Sequence, residues 1–134
     1  MLGRARQTLR VVAAGGSADA RHAERTAEIL RRLGAEEEVV TAGLLHDIAK
    51  PAGTRLWHRI AGVVLARVAP RVRRELARGG STFARYLDHA HRGAEEARRR
   101  GASDRIVFLI AGHHSPPRSD DARLLARADQ EALP

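Results

Sequence analysis

The chain has 134 residues, the size of one ordinary domain, enough to bury a single core without covalent staples. It has no cysteine, which excludes disulfides, thiolate metal sites and a cysteine nucleophile. Its formal charge of +8 rests on 24 basic residues, of which only Lys50 is a lysine. Such a surface favours anionic partners such as nucleotides and phosphate esters, although arginine on solvated helix faces accounts for it as well. Aromatic residues make up 3% of the chain and do not alternate with basic ones, so nucleic acid is disfavoured as a partner. The apolar run Leu9 to Ala14 is too short for a secretory signal, and no stretch approaches the roughly 18 apolar residues of a membrane span. A cytoplasmic location and no membrane partner are expected.

Ala, Leu, Arg and Glu dominate, and no alternating β-branched run suggests a strand, so the chain reads as all-α. A first helix is predicted over Arg4 to Ala14, broken by Gly15, Gly16 and Ser17. A second runs from Ala18 to Leu33, with His22, Thr26, Ile29, Leu30 and Leu33 on one face and Gly34 closing it. The third, Glu36 to Lys50, is apolar nearly all round and therefore buried, and Pro51 stops it. Arg55 to Val68 is amphipathic, and its Leu56, Trp57, Ile60, Val63 and Val64 face is expected to pack in the core, with a cover over the site and a dimer seam as the alternatives. Short helices follow over Pro70 to Arg78 and Thr82 to His89, then Gly93 to Arg100, a helix capped by Ser103 or Asp104 that runs to His114, and a last one over Asp120 to Ala132. There are no repeats and no low-complexity tract.

The polar residues of chemical interest sit on or one step from these apolar faces. His22 shares the Ile29, Leu30 and Leu33 stripe; His46 and Asp47 end the most buried helix; His113 continues the Ile106, Leu109 and Ile110 stripe; Asp129 follows Leu124, Leu125 and Ala128. A buried carboxylate is costly unless it is paired or binds a metal. Two aspartates and several histidines converging on one core share a need that a divalent ion meets, since imidazole and carboxylate suit Fe, Mn, Ni, Co or Zn.

The order His22, His46-Asp47, Asp129, with all four on helices, resembles the HD superfamily. The string Ala42 to Pro51, AGLLHDIAKP, is similar to its His-Asp-Ile-Gly-Lys (HDIG) segment, with Ala49 in place of glycine. LLARADQ, Leu124 to Gln130, resembles the helix bearing the last aspartate. HRGAEEARRRGAS from His91 and IAGHHSPP from Ile110 resemble the segments that supply further histidines. The resemblance implies a single compact HD domain of about six to eight helices over residues 1–134, with a core of about 18–133 and a helical insertion near 55–80. It implies one metal on His22, His46, Asp47 and Asp129, and a second shared by Asp47 and held by His91 and His113. His91 is preferred to His89 because Gly93-Ala94-Glu95-Glu96 follows it in the manner of the family segment. His114 is left open between a metal ligand, a phosphate donor and a partner of a ligand; His58 has no motif support. Ser115 stands where cyclic-dinucleotide hydrolases of the family carry an acid, and their Gly-Tyr-Pro motif is absent.

The activity implied is hydrolysis of a nucleotide or another phosphate ester or anhydride by a dinuclear metal-activated water, with Asp47 and Lys50 as catalytic residues. Lys50 would reach a phosphate oxygen. The same ligand order also resembles HD-type di-iron oxygenases that cleave C–C or C–P bonds, and some HD domains bind nucleotide or RNA without catalysis. The expected partner is a small phosphorylated substrate, and a homodimer is left open.

Overall fold

The computed structural model describes residues 18–51 and 53–133; the helix expected over Arg4 to Ala14 lies outside them. Eight α-helices are described and no strand: α1 (Ala18–Arg32), α2 (Glu37–Leu45), α3 (Leu56–Val68), α4 (Pro70–Ala77), α5 (Thr82–Leu87), α6 (His89–Arg99), α7 (Asp104–Ala111) and α8 (Asp120–Glu131). No helix among these residues is long and apolar enough to cross a membrane.

The helix starts follow their caps. Ser81, Ser103 and Ser119 each accept a hydrogen bond at Oγ from the backbone N–H three residues on, at 3.0, 3.3 and 3.1 Å, and open α5, α7 and α8. At the end of α1, Gly34 takes φ 77°, a left-handed conformation in which glycine alone carries no Cβ penalty.

The core lies where α2 is wrapped by α1, α7 and α8, with α6 packed on α7. Leu30, Val39, Val40, Leu45, Ile110 and Leu125 are its fully buried large aliphatics. Gly43 sets the approach of α1 to α2: a Cβ there would lie 2.5 Å from Leu30 Cδ1, so any larger residue requires the Leu30 side chain to shift. From Val39 to Leu45, α2 is buried nearly all round, as its apolar character there requires.

The pair α3 and α4 behaves differently. These helices pack on each other and on α5, and among the described residues they add nothing to the core cluster. The expectation that Leu56, Trp57, Ile60, Val63 and Val64 pack in the core is therefore corrected: they are 51–71% exposed. The inward face of α3 is instead His58 and Gly62, the latter against Tyr86 and Leu87. His58 caps its own helix, its Nδ1 accepting from the Arg55 N–H at 2.7 Å.

Several ends move from their predicted places. α2 stops at Leu45, and His46 to Lys50 form turns closed by Ile48 N–H to the Leu45 carbonyl and Lys50 N–H to the Asp47 carbonyl, both 3.0 Å. α5 ends at Leu87, α6 begins at His89 instead of Gly93, and α7 ends at Ala111, before His113.

Candidate metal centre

Three helices end at one place, and a histidine follows each of them. The last carbonyls of a helix have no partner within it. Here His46 Nδ1 donates to the Gly43 carbonyl at the end of α2, His89 Nδ1 to that of Tyr86 at the end of α5, and His113 Nδ1 to that of Ile110 at the end of α7, each at 2.6 Å. One bond serves two purposes. It satisfies a helix end, and it fixes the proton on Nδ1 so that the Nε2 lone pair faces inward, the arrangement in which histidine binds a metal. The partial negative charge of these helix ends also favours a cation beside them.

The inward atoms form two groups, each with all its ligand atoms within 4.8 Å of one another. The first is His22, His46, Asp47 and Asp129; the second is Asp47, His89, His113 and His114. In the first, Asp129 Oδ1 lies 2.7 Å from His22 Nε2 and 3.0 Å from His46 Nε2. In the second, Asp47 Oδ1 lies 3.1 Å from His89 Nε2 and 3.4 Å from His113 Nε2. Asp47 belongs to both: its other oxygen, Oδ2, is 3.4 Å from His46 Nε2. His114 completes the second group, with Nε2 2.7 Å from His89 Nε2.

Electrostatics show what this arrangement demands. Burial disfavours the imidazolium of His46, but its hydrogen bond to Asp129 and the charges of Asp47 and Asp129 outweigh burial and raise its pKa to about 9. Burial pushes the Asp47 carboxyl up, yet hydrogen bonds from His113 and His89 and the charge of His46 hold it far below its usual range. Asp129 is likewise pushed up by burial and held low, in its case by His22 and His46. His114 is lowered to about 3 by burial and by the neighbouring His113 and His89. The carboxylates thus call for positive charge on rings whose Nδ1 protons are already committed to carbonyls. Meeting that call with protons would crowd several imidazolium ions together, since the His46 and His113 ring centroids are 5.2 Å apart, as are those of His89 and His113. Divalent cations supply the charge without those protons, so the donor set suits metal ions.

Of the residues singled out from sequence, the structure brings together His22, His46, Asp47, His113, His114 and Asp129. It does not bring in His91, which is exposed; the ring in that place is His89, 1% exposed. The cause is helical register. With α6 beginning at His89, the buried stripe runs His89, Gly93 and Ala97 at steps of four, with Ala94 beside Gly93. His91 lies two residues on, about 200° round the helix. The spacing of His89 to Gly93 and Ala97 was the available signal. Lys50 is half-buried in the turn after Asp47. Behind the second group, Tyr86 stacks on His89 with ring centroids 5.3 Å apart, and His58, Phe83 and Trp57 continue the row of rings outward to the surface of α3.

Fold and site together define an all-helical protein with two His/Asp groups able to hold metal, joined through one shared aspartate. The sequence profile of the HD domain matches residues 19–132, and the chain belongs to that family. HD domains are generally metal-dependent phosphohydrolases. No curated protein and no solved structure matches the chain.

Proposed function

We propose that this protein hydrolyses a phosphate ester or anhydride, with a nucleotide as its substrate class, and that two divalent ions occupy the two groups. The observation that carries this reading is Asp47, whose two oxygens face different histidines: Oδ2 faces His46, and Oδ1 faces His89 and His113. His22, His46 and Asp129 would complete one site, and His89, His113 and His114 the other. Divalent ions held there supply Lewis-acid charge for the phosphoryl oxygens and lower the pKa of water.

The chain's own contribution is positional. The Gly43, Tyr86 and Ile110 carbonyls keep three rings in one tautomer and one orientation, so no reorganisation accompanies the reaction. His114 is neutral at pH 7, because its pKa is held near 3, and it offers a ring nitrogen at the rim of the second group. Lys50, in the turn that begins at Asp47, is assigned to a substrate phosphate oxygen.

The test is phosphate or nucleotide release from a panel of nucleotides by protein reconstituted with Mn, Fe, Co, Ni or Zn. Metal-dependent release supports the reading, and its absence with every metal rejects it. Lys50→Met should lower turnover while leaving bound metal unchanged; equal turnover removes Lys50 from the mechanism.

A further inference from the structure

Eight of the ten large apolar side chains that stand exposed among the described residues lie on α3 and α4. On α3 they form a single stripe. Leu56, Ile60, Val63, Val64 and Val68 recur at steps of three and four, with Trp57 beside them, across an arc of about 140° that the exposed Arg67 shares. The opposite face is pinned inward by His58 and Gly62, so the stripe faces out. On α4, Val72 and Leu76 add exposed apolar surface one turn apart.

The positive charge of the protein sits in the same place. Residues 50–87 hold nine basic side chains and a single carboxylate, Glu75, which pairs with Arg78 at 3.4 Å. The remainder of residues 18–133 holds twelve basic and fifteen acidic side chains. The body that carries the metal groups is therefore slightly acidic, and the excess of +8 belongs to the segment that exposes its apolar face. Arg55, Arg59, Arg67, Arg71 and Arg74 are all exposed there.

This combination selects among occupants. A second copy meeting the stripe face to face would bring two segments of +8 together, and residues 1–17, with three arginines and no acid, are also of like charge. Nucleic acid answers the arginines but leaves an aliphatic stripe with nothing to stack on it, since Trp57 is its one aromatic member. An anionic bilayer answers both. Aliphatic side chains enter the boundary between headgroups and acyl chains, tryptophan favours that boundary, and long arginine stems reach back to the phosphates.

We propose that α3 and α4 dock in the plane of a membrane surface rich in anionic lipid, with the α3 stripe at the headgroup–acyl boundary. An interfacial helix needs no spanning segment, so the proposal is compatible with the absence of a span among the described helices. Docking places the outer end of the ring row, Trp57, at the lipid and its inner end, His89, at the second metal group.

Trp57 is the only tryptophan, so its emission reports this face directly. The full chain is titrated with vesicles of phosphatidylglycerol and phosphatidylcholine, and with vesicles of phosphatidylcholine alone. The expected result is a shift of emission to shorter wavelength and co-sedimentation with the anionic vesicles only, weakening as salt rises. The double variant Ile60→Glu, Val64→Glu changes two exposed positions and should weaken vesicle binding by about tenfold or more. A second variant, Arg67→Glu with Arg71→Glu, should weaken it similarly, with helical content checked by circular dichroism for both. Failure to bind the anionic vesicles, or binding equal to the native chain by both variants, overturns the proposal. An emission shift with protein concentration alone would assign the face to a second copy. A shift with single-stranded RNA but not with vesicles would assign it to nucleic acid. Either outcome overturns the membrane assignment.

Discussion

The two His/Asp groups share Asp47 but are held to different degrees. In the first, Asp129 comes from α8, His22 from α1 and His46 from the end of α2, and His46 is fully buried. In the second, the His89 and His113 side chains are buried, and His114 stands at the rim, exposed as a residue but with its Nε2 turned inward to within 2.7 Å of His89 Nε2. The first group is thus part of the packing that joins α1, α2 and α8, with Asp129 partly exposed, whereas the second reaches solvent at His114. The difference teaches where stability and chemistry divide. Loss of a ligand in the first group should loosen the fold as well as release metal, and loss of one in the second should release metal with little effect on the fold.

The widest break in that comparison is Asp47→Asn, which removes charge from both groups at once. Turnover should fall by about a hundredfold or more, since losing a ligand should cost at least as much as losing a partner that orients one, and both metal equivalents should weaken; an activity assay with metal analysis on the same sample checks both. Next comes the pair His89→Ala and His91→Ala. The first should remove one metal equivalent and most activity; the second should leave metal and turnover unchanged, since His91 is exposed. The reverse outcome would restore the assignment read from sequence.

A pH series sharpens the comparison further. In metal-free protein the His46 pKa is raised to about 9, above its unfolded value near 6.5. Its contribution to stability is therefore complete below about pH 6.5 and lost as pH rises through about 9. The melting temperature of metal-free protein should drop across that window. Metal must displace the His46 proton, so affinity at the first group should rise with pH up to about 9, by about tenfold per unit for each proton displaced. A metal affinity independent of pH between 6.5 and 9 would contradict this. The smallest effect is expected from Gly43→Ala, where a Cβ would crowd Leu30. Overpacking of this kind costs about 1–3 kcal/mol, measurable by thermal or denaturant unfolding with the second group intact.

Much of this was legible before the structure. Continuous apolar character marked α2 as the central helix, and the apolar stripes of α1, α7 and α8 pointed His22, His113 and Asp129 inward, where the structure places them in the two His/Asp groups. Two features were not legible, for the same physical reason. Periodicity states which residues share a face but not where a helix begins or what covers it. The family-like segment Gly93-Ala94-Glu95-Glu96 favours His91, and a helix expected to end at His89 hides that His89 opens α6 and shares its buried face with Gly93 and Ala97. The stripe of α3 is as periodic as any core face, yet α3 packs on α4 and α5 through His58 and Gly62, and the stripe stays outside. The histidine-to-carbonyl bonds were hidden too, because they depend on helix ends at Leu45, Leu87 and Ala111 that fall before the predicted stops.

The central claim is a dinuclear site built on one shared aspartate, and the most direct measurement is metal content per chain. It would be made by elemental mass spectrometry on protein purified without chelator or affinity tag, beside His89→Ala. The expected result is two equivalents in the native chain and one in the variant. No bound metal in the native chain, even after reconstitution, would contradict the claim.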